Sequence, residues 1–177
     1  GNYAYKKSYN EFYEDALAVA RYIRHINPGR MHIAFIGKTN YEYIACLTGM
    51  IFSGNVVVPF APDITADEAT KLFDDADIEM LFCEEEMMAT AIEIQKRTPA
   101  LKKIVSLGDI KWFANVFESY NSESEYAGLE NVDIDIDACA LIIYTSGTTG
   151  DRKGVMLSNH NIAANTCYNE YNMDNDD

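Results

Sequence analysis

The chain has 177 residues, 48% of them apolar and 12% aromatic, with 14 basic against 28 acidic side chains and a formal net charge of −14. This length and apolar content suit one compact domain and exclude a disordered chain. The negative balance disfavours nucleic-acid backbones and anionic lipid surfaces as partners. No uninterrupted apolar run approaches the roughly 20 residues of a membrane span, so no stable membrane insertion is expected.

In chain order, Ser8-x-x-Glu11 forms a capping-box pattern, and Phe12, Ala16, Val19, Ile23 and Ile26 recur at helical spacing until Asn27-Pro28-Gly29 stops the helix. His32–Ile36 predicts a short buried strand closed by Gly37. Thr39-x-x-Glu42 predicts a second box, opening a helix through Tyr43, Leu47, Met50 and Ile51 that ends at Gly54. Val56–Phe60 predicts a strand with Pro59 near its end. Thr65-x-x-Glu68 predicts a third box and a helix through Ala69, Leu72 and Phe73. A strand over Ile78–Phe82, a helix from Met87 to Lys96, a strand over Lys103–Leu107 and a short helix from Lys111 to Ser119 follow.

Strands alternating with helices at this spacing imply βαβ crossovers. The expected class is therefore α/β, a mostly parallel sheet with helices on both faces. Nearly continuous apolar strands agree with burial from both sides. Residues 121–135 read as a polar, acidic surface loop. Ala138–Tyr144 reads as a strand running into a glycine-rich loop, Gly154–Leu157 as a short strand, and Ser158 as the cap of a last helix. A domain over 1–168 with a polar tail over 169–177 is expected.

Tyr144-Thr-Ser-Gly-Thr-Thr-Gly-Asp-Arg-Lys-Gly154 carries the chemistry. Glycines let backbone N–H groups approach a ligand, consecutive N–H groups form an anion-binding nest, and hydroxyls and an ammonium add donors. The loop follows a strand, where ligands of open α/β sheets collect. A plain surface turn also uses Gly, Ser and Thr, but it does not need this density of small residues followed by lysine. Neither G-x-x-x-x-G-K-[S/T] nor G-x-G-x-x-G fits, because Arg152 stands five after Gly147 and Gly154 follows Lys153.

Cys46, Cys83, Cys139 and Cys167 are scattered, and three of them lie in apolar segments. Reduced, metal-free thiols in a cytoplasmic protein are expected. Glu84–Glu86 and Asp133, Asp135 and Asp137 read as solvated faces rather than a cation site. His160, near a helix start, reads as a cap or surface group, and no catalytic residue is assigned.

The segment Tyr144–Val155 resembles the signature of the AMP-binding, or adenylate-forming, superfamily, whose members include acyl-CoA synthetases, peptide-synthetase adenylation domains and luciferases. Arg152 departs from the proline usual there. Leu47–Pro62 is similar to the family's upstream helix-strand element, Ser8–Ile26 to its first helix, Asp137–Tyr144 to its entry strand, and Met156–Ile162 to the segment after the loop, closer to acyl-CoA ligases than to peptide-synthetase domains. The resemblance implies the N-terminal subdomain of a ligase. Such a ligase activates a carboxylic acid with ATP and Mg²⁺ as acyl-AMP and passes it to coenzyme A.

The resemblance implies Thr145, Ser146, Gly147, Thr148, Thr149, Gly150 and Lys153 as the triphosphate cradle. The family's later motifs have no match in these residues. The fragment alone is therefore expected to be catalytically inactive, to bind ATP weakly at best, and to self-associate through a truncated apolar face. The alternatives are a non-catalytic nucleotide-binding or scaffold module, and a piece of a peptide-synthetase adenylation domain.

Overall fold

The computed structural model describes residues 6–107, 110–146 and 152–165. Five parallel strands, β1 (His32–Ile36), β2 (Val56–Phe60), β3 (Ile78–Cys83), β4 (Lys103–Ser106) and β5 (Cys139–Ser146), stand in the order β4-β3-β1-β2-β5. An antiparallel strand, β6 (Arg152–Ser158), borders β5. Helices α3 (Ala66–Asp75) and α4 (Met88–Arg97) supply Ala69, Leu72, Phe73, Ala91 and Ile94 to one core, against Ala34, Ile36, Val56 and Val58 of the sheet. Helices α1 (Tyr9–Ile26), α2 (Tyr41–Phe52) and α5 (Ile110–Ser119) cover the other face, where Val19, Ile23, Met50 and Phe113 meet Ile33, Phe35 and Val57. Alternate residues of one strand thus enter opposite cores, which is why the central strands are nearly continuously apolar. The expected class and its two-faced helical cover are observed.

Local chemistry explains the boundaries. At α1 the capping box closes both ways: Glu11 N–H donates to Ser8 Oγ at 3.2 Å, and Ser8 N–H donates to Glu11 Oε2 at 2.7 Å. At α2 the expected box does not form, and the cap lies one residue further on. Asn40, not Thr39, is the N-cap, and its Oδ1 accepts from Tyr43 N–H at 2.7 Å. A short amide side chain caps as well as a hydroxyl, so two adjacent candidates compete and the turn geometry decides. The helix stops at Phe52, and Gly54 makes the turn into β2 with φ +79, a conformation that glycine adopts without steric cost. Pro59 lies inside β2, opposite Phe35.

Residues 121–135 have no regular secondary structure, as expected, but the end of the segment is tethered. Arg21, on the buried face of α1, reaches Glu130 Oε1 at 2.5 Å and donates to Tyr120 O at 3.0 Å. Beside it the Tyr126 ring stacks on His25 at 4.5 Å and on Tyr120 at 4.4 Å. A last helix, α6 (159–165), is capped by Ser158, whose Oγ accepts from Asn161 N–H at 3.2 Å while Ser158 N–H donates to Asn161 Oδ1 at 2.9 Å. Cys46 and Cys83 are buried free thiols and Cys139 is a half-buried one. Cys167 and the tail 169–177 lie outside the described residues.

Candidate functional site: the strand ends around the glycine-rich loop

The site is built on the β5–β6 pair. Leu141 lies opposite Val57, so Tyr144 comes level with Phe60, the last residue of β2, and Thr145 and Ser146 project past the carboxyl edge of the parallel strands. The Tyr144 ring stacks on Phe60 at 5.9 Å and 18°, and its hydroxyl donates to Asp75 Oδ2 at 2.6 Å. Burial, with the Asp75 hydrogen bond adding to it, drives the phenol pKa well above its ordinary value, so Tyr144 is a neutral donor at physiological pH.

Returning from the loop, β6 places Arg152 opposite Ser146, Lys153 opposite Thr145 and Gly154 opposite Tyr144. Thr145 and Lys153 are both exposed, and the Thr145 hydroxyl is 3.5 Å from Lys153 O. A Cβ at Gly154 would stand 3.1 Å from Ile142 Cγ2 and 3.3 Å from Tyr144 Cε1. This glycine therefore makes room for the aromatic ring, a reason different from ligand approach. Arg152 pairs with Glu68 Oε1 of α3 at 2.5 Å. Beside this pair lies an open groove of 580 Å³ lined by Thr65, Glu68, Lys71, Asp75 and Arg152.

The structure thus brings together three of the seven expected cradle residues, Thr145, Ser146 and Lys153, at adjoining strand ends. Gly147, Thr148, Thr149 and Gly150 lie outside the described residues, as does Asp151. Sequence reasoning missed Asp75 and gave Glu68 only a capping role; an acidic side chain on an exposed helix face carries no signal of what it faces across 69 or 84 residues.

The remaining candidates are placed elsewhere. His160 is a surface group whose N–H donates to Ile136 O at 2.8 Å and whose ring lies 3.8 Å from Asp137. Glu84 accepts from Lys38 N–H at 2.7 Å and Glu86 pairs with Lys38 at 2.8 Å. Among the described residues no three His, Cys, Asp or Glu side chains converge to hold a metal, and no helix is long and apolar enough to cross a membrane.

The family model described as AMP-binding enzyme matches residues 2–177. The chain belongs to this family. Within the AMP-binding family it is similar to a malonate–CoA ligase of Arabidopsis thaliana, 31% identical over 134 residues, 73% of this chain and 21% of that protein. It is also similar to the long-chain-fatty-acid–CoA ligase ACSBG1 of Rattus norvegicus, 28% identical over 166 residues, 88% of this chain and 23% of that protein. The chain thus spans between a fifth and a quarter of the length of these relatives. In fold it matches the crystal structure of ATP-bound MatB from Rhodopseudomonas palustris with a TM-score of 0.78 at 24% identity, over 93% of this chain and 32% of that one. A long-chain-fatty-acid-CoA ligase, FadD1, from Archaeoglobus fulgidus matches with a TM-score of 0.77 at 20% identity and the same coverage. The architecture is that of the N-terminal region of adenylate-forming enzymes.

Proposed function

We propose that this AMP-binding-family chain supplies the ATP-phosphate cradle of an acid–thiol ligase, which activates a carboxylic acid as acyl-AMP and transfers the acyl group to coenzyme A. The observation that carries the reading is the pairing of Thr145 with Lys153 across the β5–β6 strand ends. It sets a hydroxyl and an ammonium on either side of the glycine- and threonine-rich segment, at the carboxyl edge of the sheet. These are hard donors of the kind that fit phosphate oxygens. In this reading Thr145, Ser146, Gly147, Thr148, Thr149, Gly150 and Lys153 bind the triphosphate, and their preorganised N–H, hydroxyl and ammonium groups offset the negative charge that develops as pyrophosphate leaves. Each charge-assisted contact contributes about 1.5–3 kcal/mol where water is excluded. Mg²⁺, which would share that charge, is assigned no ligand among the described residues.

The 177-residue chain is expected to bind ATP weakly and to turn nothing over by itself. Thermal stabilisation by millimolar ATP that disappears in Lys153→Ala and in Thr149→Val supports the cradle; equal stabilisation of all three, or none, overturns it. Pyrophosphate exchange by the isolated chain with a panel of carboxylates would overturn the expectation of inactivity.

A second, scaffold reading draws on an apolar groove of 750 Å³ lined by Phe12, Thr48, Phe52, Ile134, Ile136 and Ile162. Exposed apolar surface of this kind favours association. Concentration-dependent association without any ATP effect would favour it over the cradle.

A further inference from the structure

The two stems of the glycine-rich loop are tied to one helix. On the entry side the Tyr144 hydroxyl donates to Asp75 at 2.6 Å; on the exit side Arg152 pairs with Glu68 at 2.5 Å. Glu68 and Asp75 are seven residues apart, close to two helical turns, so both carboxylates stand on the same face of α3.

Neither carboxylate is engaged in a cap of the helix that carries it. Thr65 Oγ1 accepts from Glu68 N–H at 3.3 Å, but the Glu68 carboxylate turns to Arg152 instead of making the return bond seen at α1. Asp75 occupies the last turn of α3, where the helix dipole disfavours negative charge. The alternation of the strands completes the arrangement. Tyr144, Arg152 and Gly154 belong to the hairpin face that meets α3, and Thr145 and Lys153 to the opposite face.

We infer that Glu68 and Asp75 are positioning residues for the phosphate cradle. By gripping Tyr144 and Arg152 from α3, they set the separation and tilt of the strand ends whose other face carries Thr145 and Lys153. This rests on the cradle reading for its consequence, though not for the tether itself. Because one of the two grips is a half-exposed ion pair, the order of the stems depends on ionic strength.

Backbone amide exchange of the full 177-residue chain, read residue by residue in 20 mM and 500 mM NaCl, tests the tether. Glu68→Gln and Tyr144→Phe should each accelerate the protected amides of residues 144–146 and 152–154 about threefold, the scale of a half-exposed contact, and about tenfold together. Amides of β1 and β3 should keep their rates. Salt should accelerate the stems of the unmodified chain but not those of Glu68→Gln. Arg152→Lys, which keeps the charge, should keep most of the protection, and the exchanged pair Glu68→Arg with Arg152→Glu should restore most of it.

Unchanged stem rates in Glu68→Gln, acceleration spread evenly through β1 and β3, or no recovery in the exchanged pair would each overturn the inference. The same samples titrated with ATP separate the two proposals. A several-fold weaker ATP affinity in Glu68→Gln, recovered in the exchanged pair, supports both. Altered stems with no protection by ATP in any variant would sink the cradle reading and leave the tether standing.

Discussion

Replacing Gly49 by alanine sets two effects of opposite sign against each other. In an exposed helix the substitution stabilises, by up to about 1 kcal/mol, because alanine loses less backbone freedom on folding. Gly49 is not exposed. It is the point where α2 crosses α1, and an added Cβ would stand 2.5 Å from Ala16 O, 2.6 Å from Val19 Cβ and 2.8 Å from Val19 Cγ1. Ordinary contacts between such atoms are about 3.5–4.0 Å, so the helices must separate by about 1 Å. The nearest obstacle is a backbone carbonyl, and Val19 is fully buried, so no rotamer change makes room. Overpacking of this kind costs about 1–3 kcal/mol, and a backbone obstacle belongs at the upper end. After the propensity gain, a net loss of about 1–2 kcal/mol remains, or about 2–8 °C in Tm for a chain of this size. The measurement is urea unfolding followed by circular dichroism, with Gly29→Ala as control, since a Cβ there meets nothing nearer than 3.7 Å. A Gly49→Ala midpoint equal to or above that of the unmodified chain would refute the close-approach argument.

Glu130→Gln should destabilise by about 1.5–3 kcal/mol, the scale of a hydrogen bond to a charged group, because it leaves the buried Arg21 guanidinium only the more exposed and more distant Glu14 carboxylate, at 3.9 Å, as counter-charge. Desolvation pushes the Glu130 pKa up, but the Arg21 hydrogen bond and charge, together with backbone N–H donors of Glu130 and Gly128, outweigh it and hold the carboxyl below its ordinary value. A carboxyl with a lowered native pKa contributes stability above its unfolded pKa and loses it as pH falls through the native one. The gap between Glu130→Gln and the unmodified chain should therefore be full at pH 7 and shrink below about pH 4, and a pH-independent gap in urea midpoints would refute the pairing. Burial raises the Cys46 thiol well above its ordinary pKa and, with Glu84 nearby, pushes Cys83 up to about 11. Iodoacetamide at pH 7.5, mapped by mass spectrometry, should leave both unlabelled in the native chain and label both in urea. Rapid native labelling of either would contradict its placement in the core.

The parts of this molecule that were legible in advance are those whose cause is local. The strands β1 to β3 could be placed because burial from both sides makes Ile33–Ile36, Val56–Phe60 and Met80–Phe82 continuously apolar, with His32 and Glu79 only at the strand starts, and α1 because Ser8 and Glu11 satisfy each other within one turn. Even the error at α2 is local, since Thr39 and Asn40 can both cap and their order alone does not choose between them. The segment around the glycine-rich loop was legible for the same reason: density of glycine, hydroxyl and lysine within a dozen residues is a local fact. What holds its stems is not. Glu68 announces a capping box and Asp75 announces nothing, yet both face the hairpin because β5 enters beside β2, and α3 lies over that corner of the sheet. Arg21 shows the same limit, since its partner Glu130 stands 109 residues away in a segment whose composition reads only as solvated loop. In both places a charged residue of ordinary helical appearance is committed to a distant partner. The pattern that brings them together is strand order, which is written in the packing of two cores rather than in any neighbourhood of the chain.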